Sequence, residues 1–236
     1  MDSIFLAASE GRFDDVKKFL NEGVEPFSDV IDKNSFLLAI FNKKREIVQY
    51  YLENIPGCEK YFTQALFLSI EDIEIVKMLI NHGADIFECL PYDELPVWYT
   101  AIFENNVELF DFFVEKCNLN LEMHFEKIVE ESVGFLAIDV LYYILERGYN
   151  FKNQEDFLFK SIISNDSVEL LHFFIDAGLF NELYQVKIYN ECKNNFGFLG
   201  LNKYLSENWK NLENLNFIIK FASAPPIDLV EVEQIV

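Results

Sequence analysis

The 236-residue sequence predicts an all-α array of helix-turn-helix units, and three observations lead there. An apolar anchor recurs at Val16, Val48, Val76, Phe110, Leu141, Leu171 and Leu215, at spacings of 32, 28, 34, 31, 30 and 44 residues, and periods near thirty residues mark helical repeats. The residue two places before each anchor is an acid: Asp14, Glu46, Glu74, Glu108, Asp139, Glu169 and Glu213. Only 9 Gly and 6 Pro stand among the 236 residues, so helices with short connections are expected.

Each column has a physical cause. An acid in the first turn opposes the partial positive charge of the unpaired N–H groups there. Three and four places after the anchor stand Phe19-Leu20, Tyr51-Leu52, Leu79-Ile80, Phe113-Val114, Ile144-Leu145, Phe174-Ile175 and Ile218-Ile219. Anchor, third and fourth positions are therefore read as one buried stripe, with the fifth position (Asn21, Glu53, Asn81, Glu115, Glu146, Asp176 and Lys220) facing solvent. Seven places after the anchor, Gly23, Gly83, Gly148 and Gly178 supply left-handed geometry for a helix end. Ile55, Cys117 and Ala222 occupy that place in the other units, which must end differently.

A shorter apolar segment precedes most stripes: Ile4 to Ala8, Phe36 to Phe41, Phe62 to Leu68, Trp98 to Phe103, and Phe157 to Ile163. These read as first helices. Ala7, Ala39, Ala65, Ala101 and Ser161 fall within them, small where a neighbouring helix leaves no room for Leu or Phe. Asp72, Asn106, Ser167 and Asn211 fit N-caps of the second helices. The segment Phe87 to Trp98 is the longest aromatic and acidic connection, and irregular loops carry recognition; Trp98 is read as packing beneath that loop or opening the next helix. After Phe180 the spacing gives a helix from Leu183 to Cys192, a loop from Asn194 to Gly200 and a longer helix or helical pair from Tyr204 to Phe221, suited to capping the last apolar face. Pro225 and Pro226 end the helical pattern and start an extended tail.

The unit resembles the ankyrin repeat: an alanine-bearing first helix, a short polar turn, an acid, a Val/Leu-rich second helix and Gly-Ala-Asp. The matching residues are Leu6-Ala7-Ala8-Ser9-Glu10-Gly11 followed by Val16 to Gly23, and above all Glu74 to Asp85. The Thr-Pro-Leu-His opening of that family is absent from every unit. The resemblance implies an ankyrin-like solenoid of six repeats over residues 1–180, a degenerate seventh repeat or helical cap over 181–224, and an extended acidic and apolar tail over 225–236. It also implies protein–protein interaction through a concave face of loops and first helices. Family binding positions near loop tips and at the end of the first helix map to Tyr92, Asp93, Leu95, Phe103 and Glu104, to Phe41 and Asn42, and to Ser164 and Asn165.

Charge narrows the partner. Nineteen basic against 40 acidic residues leave −21, which repels nucleic acid and anionic membranes and favours a protein partner with a basic or amphipathic segment. Cys58, Cys89, Cys117 and Cys192 have neither disulfide-framework nor zinc-ligand spacing. His82, His124 and His172 share no motif, and His82 stands where it can hydrogen-bond the last carbonyls of its helix. Acidic pairs such as Asp14-Asp15, Asp93-Glu94 and Glu130-Glu131 lack EF-hand or paired-carboxylate spacing, and no phosphate loop or nucleophile elbow is visible. A non-enzyme with no cofactor is expected, monomeric and cytoplasmic, or in a host's cytoplasm if it comes from one of the viruses or pathogens whose degenerate arrays it resembles. An alternative places recognition in the tail, where Leu229 to Glu233 alternates as a strand that adds to a partner's sheet edge; that reading makes the chain an adaptor or inhibitor.

The repeat assignment predicts that Val76→Asp, by burying an unpaired carboxylate, lowers the melting temperature and melts neighbouring repeats together; an unchanged melt contradicts it.

Overall fold

The computed structural model describes residues 3–90, 95–194 and 199–208. Among them the chain is all-helical, with fourteen α-helices. In order these are α1 (Ile4–Glu10), α2 (Phe13–Asn21), α3 (Ser35–Phe41), α4 (Arg45–Asn54), α5 (Phe62–Leu68), α6 (Ile73–Asn81) and α7 (Tyr99–Phe103). They continue as α8 (Val107–Lys116), α9 (Leu121–Gly134), α10 (Ile138–Glu146), α11 (Glu155–Asn165), α12 (Val168–Asp176), α13 (Glu182–Asn194) and α14 (Leu199–Asn208). The chain divides into two compact units, the residues up to Glu131 and those from Ser132 onward.

In the first unit, α1 packs on α2, α3 on α4, α5 on α6 and α7 on α8, each pair an antiparallel hairpin. First helices also pack on first helices (α1 on α3, α3 on α5) and second on second (α2 on α4, α4 on α6). The predicted small residues sit at these contacts: Ala7, Ala39, Ala65 and Ala101 are wholly buried. Hairpin turns are linked as well. Lys44 lies over Gly11, Lys43 pairs with Glu71 at 2.8 Å, and Arg45 grips Asp72 with two nitrogens at 2.8 and 2.9 Å. Asp72 simultaneously accepts the Glu74 and Ile75 N–H groups as the N-cap of α6, so one buried carboxylate both caps a helix and ties α4 to α6.

In the second unit, α11 pairs with α12, α10 and α14 pack on α12, and α13 packs on α11 and α14. Phe173 takes Tyr142 and Phe151 edge-on, with ring centroids 5.3 and 5.1 Å away. The Tyr142 hydroxyl donates to Asp176 at 2.6 Å. Burial first, and this carboxylate second, push the phenol up to about 12.

The caps fall where the sequence places them: Asn106 accepts from Leu109 N–H and Ser167 from Leu170 N–H, and the acids of the first column lie exposed in first turns. Ser3 and Asn34 cap α1 and α3 in the same way. Asn211 and Glu213 lie outside the described residues.

Three expectations are corrected. In α4, α6, α8, α10 and α12 the fully buried stripe is not anchor, third and fourth position but the residue before the anchor, the anchor and the third, as with Ile75, Val76 and Leu79 in α6 and Leu170, Leu171 and Phe174 in α12, whereas in α2 only Val16 is buried. At the fourth position Leu20, Leu52, Ile80, Val114 and Leu145 are half-buried, and Ile175 is exposed. Positions −1 and +3 are four residues apart, one above the other on the helix, so the face centres on them. Gly200 is not in a loop: α14 begins at Leu199 and includes Tyr204, because Asp166, in the α11–α12 turn, accepts the Gly200 and Leu201 N–H groups at 2.8 and 2.9 Å and caps the helix start from outside. A Cβ on Gly200 would lie 3.0 Å from the Asp166 carbonyl oxygen. The unit anchored at Leu141 also has a first helix that the apolar pattern hid, α9, in which Ser132 takes the small-residue place and is wholly buried.

The helices without a glycine end differ as required. After α8 the left-handed residue is Asn118, with φ 59°, while α4 runs into extended Ile55 and reaches Gly57 at φ 99°. A second left-handed series closes the hairpin turns at Gly11, Lys43, Asn105, Leu136 and Asp166.

The Ser132 hydroxyl is buried without a hydrogen-bond partner. Ser132→Ala removes that orphan and should raise stability by about 1 kcal/mol in urea unfolding; a lower unfolding midpoint contradicts this account of the site.

Candidate functional site

Between its hairpins the first unit carries connecting segments rather than bare turns, and three of them meet. Residues 22–34 enter α3 through a short 3-10 turn at Ile31–Lys33, and the segment before α5 does the same through Cys58–Tyr61. Phe27 joins them, its ring 5.9 Å from Tyr51 and 5.7 Å from Tyr61, close to Gly57, whose φ of 99° suits glycine. Ser35, wholly buried, donates to the Pro26 carbonyl and lies 2.6 Å from the Tyr51 hydroxyl. This fixes the 22–34 segment to α4.

The third segment doubles back on itself. Val97 and Trp98 donate to the Glu88 and Ile86 carbonyls, and Cys89 and Pro96 form an antiparallel bridge. Trp98 is 2% exposed, with its ring tilted against Tyr99 at a centroid distance of 4.0 Å and against His124 at 5.4 Å. It is buried and opens α7, one of the two structural places the sequence reading gave it. The Thr63 hydroxyl hydrogen-bonds Glu88 and so ties α5 to this segment.

These three segments enclose a cleft of about 550 Å3. One wall is Asp29, another the start of α5 with Lys60, Tyr61, Thr63 and Gln64, and the third Cys89 and Leu90. Partial burial raises the Tyr61 phenol above its ordinary pKa, and the carboxylates of Asp29 and Glu25 add to that rise. The Gln64 Oε1 atom is buried with no hydrogen-bond partner. Gln64 precedes Ala65 where Leu6 precedes Ala7 and Leu38 precedes Ala39. Thr100 and Lys160 hold the same place before Ala101 and Ser161, so a polar residue here gave no linear signal of the cleft. Asp29, Lys60 and Leu90 gave none, because they meet only through folding.

The residues selected from the sequence separate. Phe41 and Phe103 end α3 and α7 and are 62% and 58% exposed. They lie at the turn end of the first helices, whereas the cleft lies at the opposite end; seven helical residues span roughly 10 Å. Phe67 holds the equivalent place in α5 and is half-buried. Glu104 is exposed, and its N–H closes the end of α7. Asn42 and Asn165 turn their side-chain amides back onto the Leu38 and Ser161 carbonyls at 2.9 Å, and the Ser164 hydroxyl donates to the same Ser161 oxygen at 3.3 Å. These three hold helix ends. Leu95 is half-buried in the third segment. Tyr92 and Asp93, like the 225–236 tail, lie outside the described residues.

Among the described residues no group of three His, Cys, Asp or Glu side chains is placed to hold a metal, and no helix is long and apolar enough to cross a membrane. His82 does what its position implies, its Nδ1 lying 2.7 Å from the Met78 carbonyl oxygen. Comparison of the chain with protein-family models, curated proteins and solved structures returns no significant match.

Burial pushes the thiols of Cys58 and Cys117 up to about 11, while Cys89 is exposed at the cleft. A raised thiol stays protonated below its pKa, so at pH 8 both the buried Cys58 and the half-buried Cys117 remain almost wholly thiol. Iodoacetamide at pH 8 is expected to alkylate the exposed Cys89 before either Cys58 or Cys117, read by peptide mass; equal rates contradict this order of exposure.

Proposed function

We propose that this chain is an ankyrin-like helical-repeat module that binds a partner protein through the connecting segments and first helices of its repeats. The recurrence of one hairpin design supports the repeat reading: a buried alanine or serine in each first helix, an outward acid in the first turn of each second helix, a side-chain cap on α6, α8 and α12, and left-handed residues at corresponding turns. The observation that carries the binding reading is the exposure of Phe41 and Phe103. They occupy the same place in two hairpins whose other apolar residues are largely covered, at the first-helix end used for recognition in the family the repeat resembles. Aromatics this exposed serve as interface anchors.

The acidity of the chain favours a partner segment that is basic or amphipathic, with aromatic contacts supplying affinity and carboxylates supplying steering. In this reading the protein is a non-enzymatic monomer that acts in the cytoplasm, where the thiols of Cys58, Cys89 and Cys117 stay reduced.

Selection of a displayed peptide library against the full chain tests the proposal. Selected binders are expected to be rich in Lys, Arg and aromatic residues, and to lose at least tenfold in affinity when Phe41→Ala and Phe103→Ala are combined, with the melting temperature kept. Binders indifferent to both substitutions contradict it.

A further inference from the structure

We draw no further inference here: the strongest candidate, the surface patch of Phe41, Phe67 and Phe103 at the turn ends of α3, α5 and α7, belongs to the binding surface already proposed, and nothing in the structure shows what covers it.

Discussion

Most of these helices are too short to persist alone. The first eight run from five to ten residues, below the length at which an isolated helix holds together in water. Each must therefore be stabilised by what it packs against, and that constraint dictates the rest. A hairpin leaves an apolar face open until its neighbour covers it, so the residues at the contact have to repeat from unit to unit. Ala7 and Ala39 are wholly buried in the packed helices α1 and α3, where a larger side chain would hold the helices apart. Val48 and Val76 repeat because α4 and α6 cover one another's stripes. Polar groups obey the same logic: Asp72 is almost fully buried, yet its oxygens serve the two Arg45 nitrogens and the first N–H groups of α6 at once.

Residues bound by that repetition have little freedom to recognise anything. Variation is confined to the turn end of the first helices, where Phe41 and Phe103 are exposed, and to the connecting segments, where the cleft lies. The two regions occupy opposite ends of the first helices, so a partner that engages both must run along them. A helical array built this way keeps the residues that hold its fold separate from those free to vary, and substitutions in one set leave the other largely untouched.

How far the sequence could be read follows from the range of the interactions. The stretch Glu74 to Asp85 was legible almost completely: its acid, its cap at Asp72, its buried Val76 and Leu79 and its left-handed Gly83 are all set by residues within one helix. The stripe was misplaced by one position because apolar residues also occupy the half-covered rim at Leu52, Ile80 and Leu145, and composition does not separate rim from core. Contacts distant in the chain left little or no trace. Nothing local marks Asp166 as the cap of a helix that begins more than thirty residues later, or Gly200 as the residue that must lack a side chain beneath it. The cleft showed no sign, because the column that holds Gln64 also holds Thr100 and Lys160. Ser132 hid the first helix of its unit by placing a hydroxyl where alanine was the pattern.

The most direct measurement of the central claim is an alanine series along α6 in equilibrium urea unfolding. Ile75→Ala, Val76→Ala and Leu79→Ala each empty a position sealed by neighbouring helices, and the Ile and Leu truncations are expected to cost about 2–4 kcal/mol, the smaller valine somewhat less. Ile80→Ala, on the half-covered rim, is expected to cost less than half as much as Ile75→Ala. A series in which Ile80→Ala costs as much as Ile75→Ala, or in which none exceeds about 1 kcal/mol, contradicts the claim that burial between neighbouring hairpins holds this protein together.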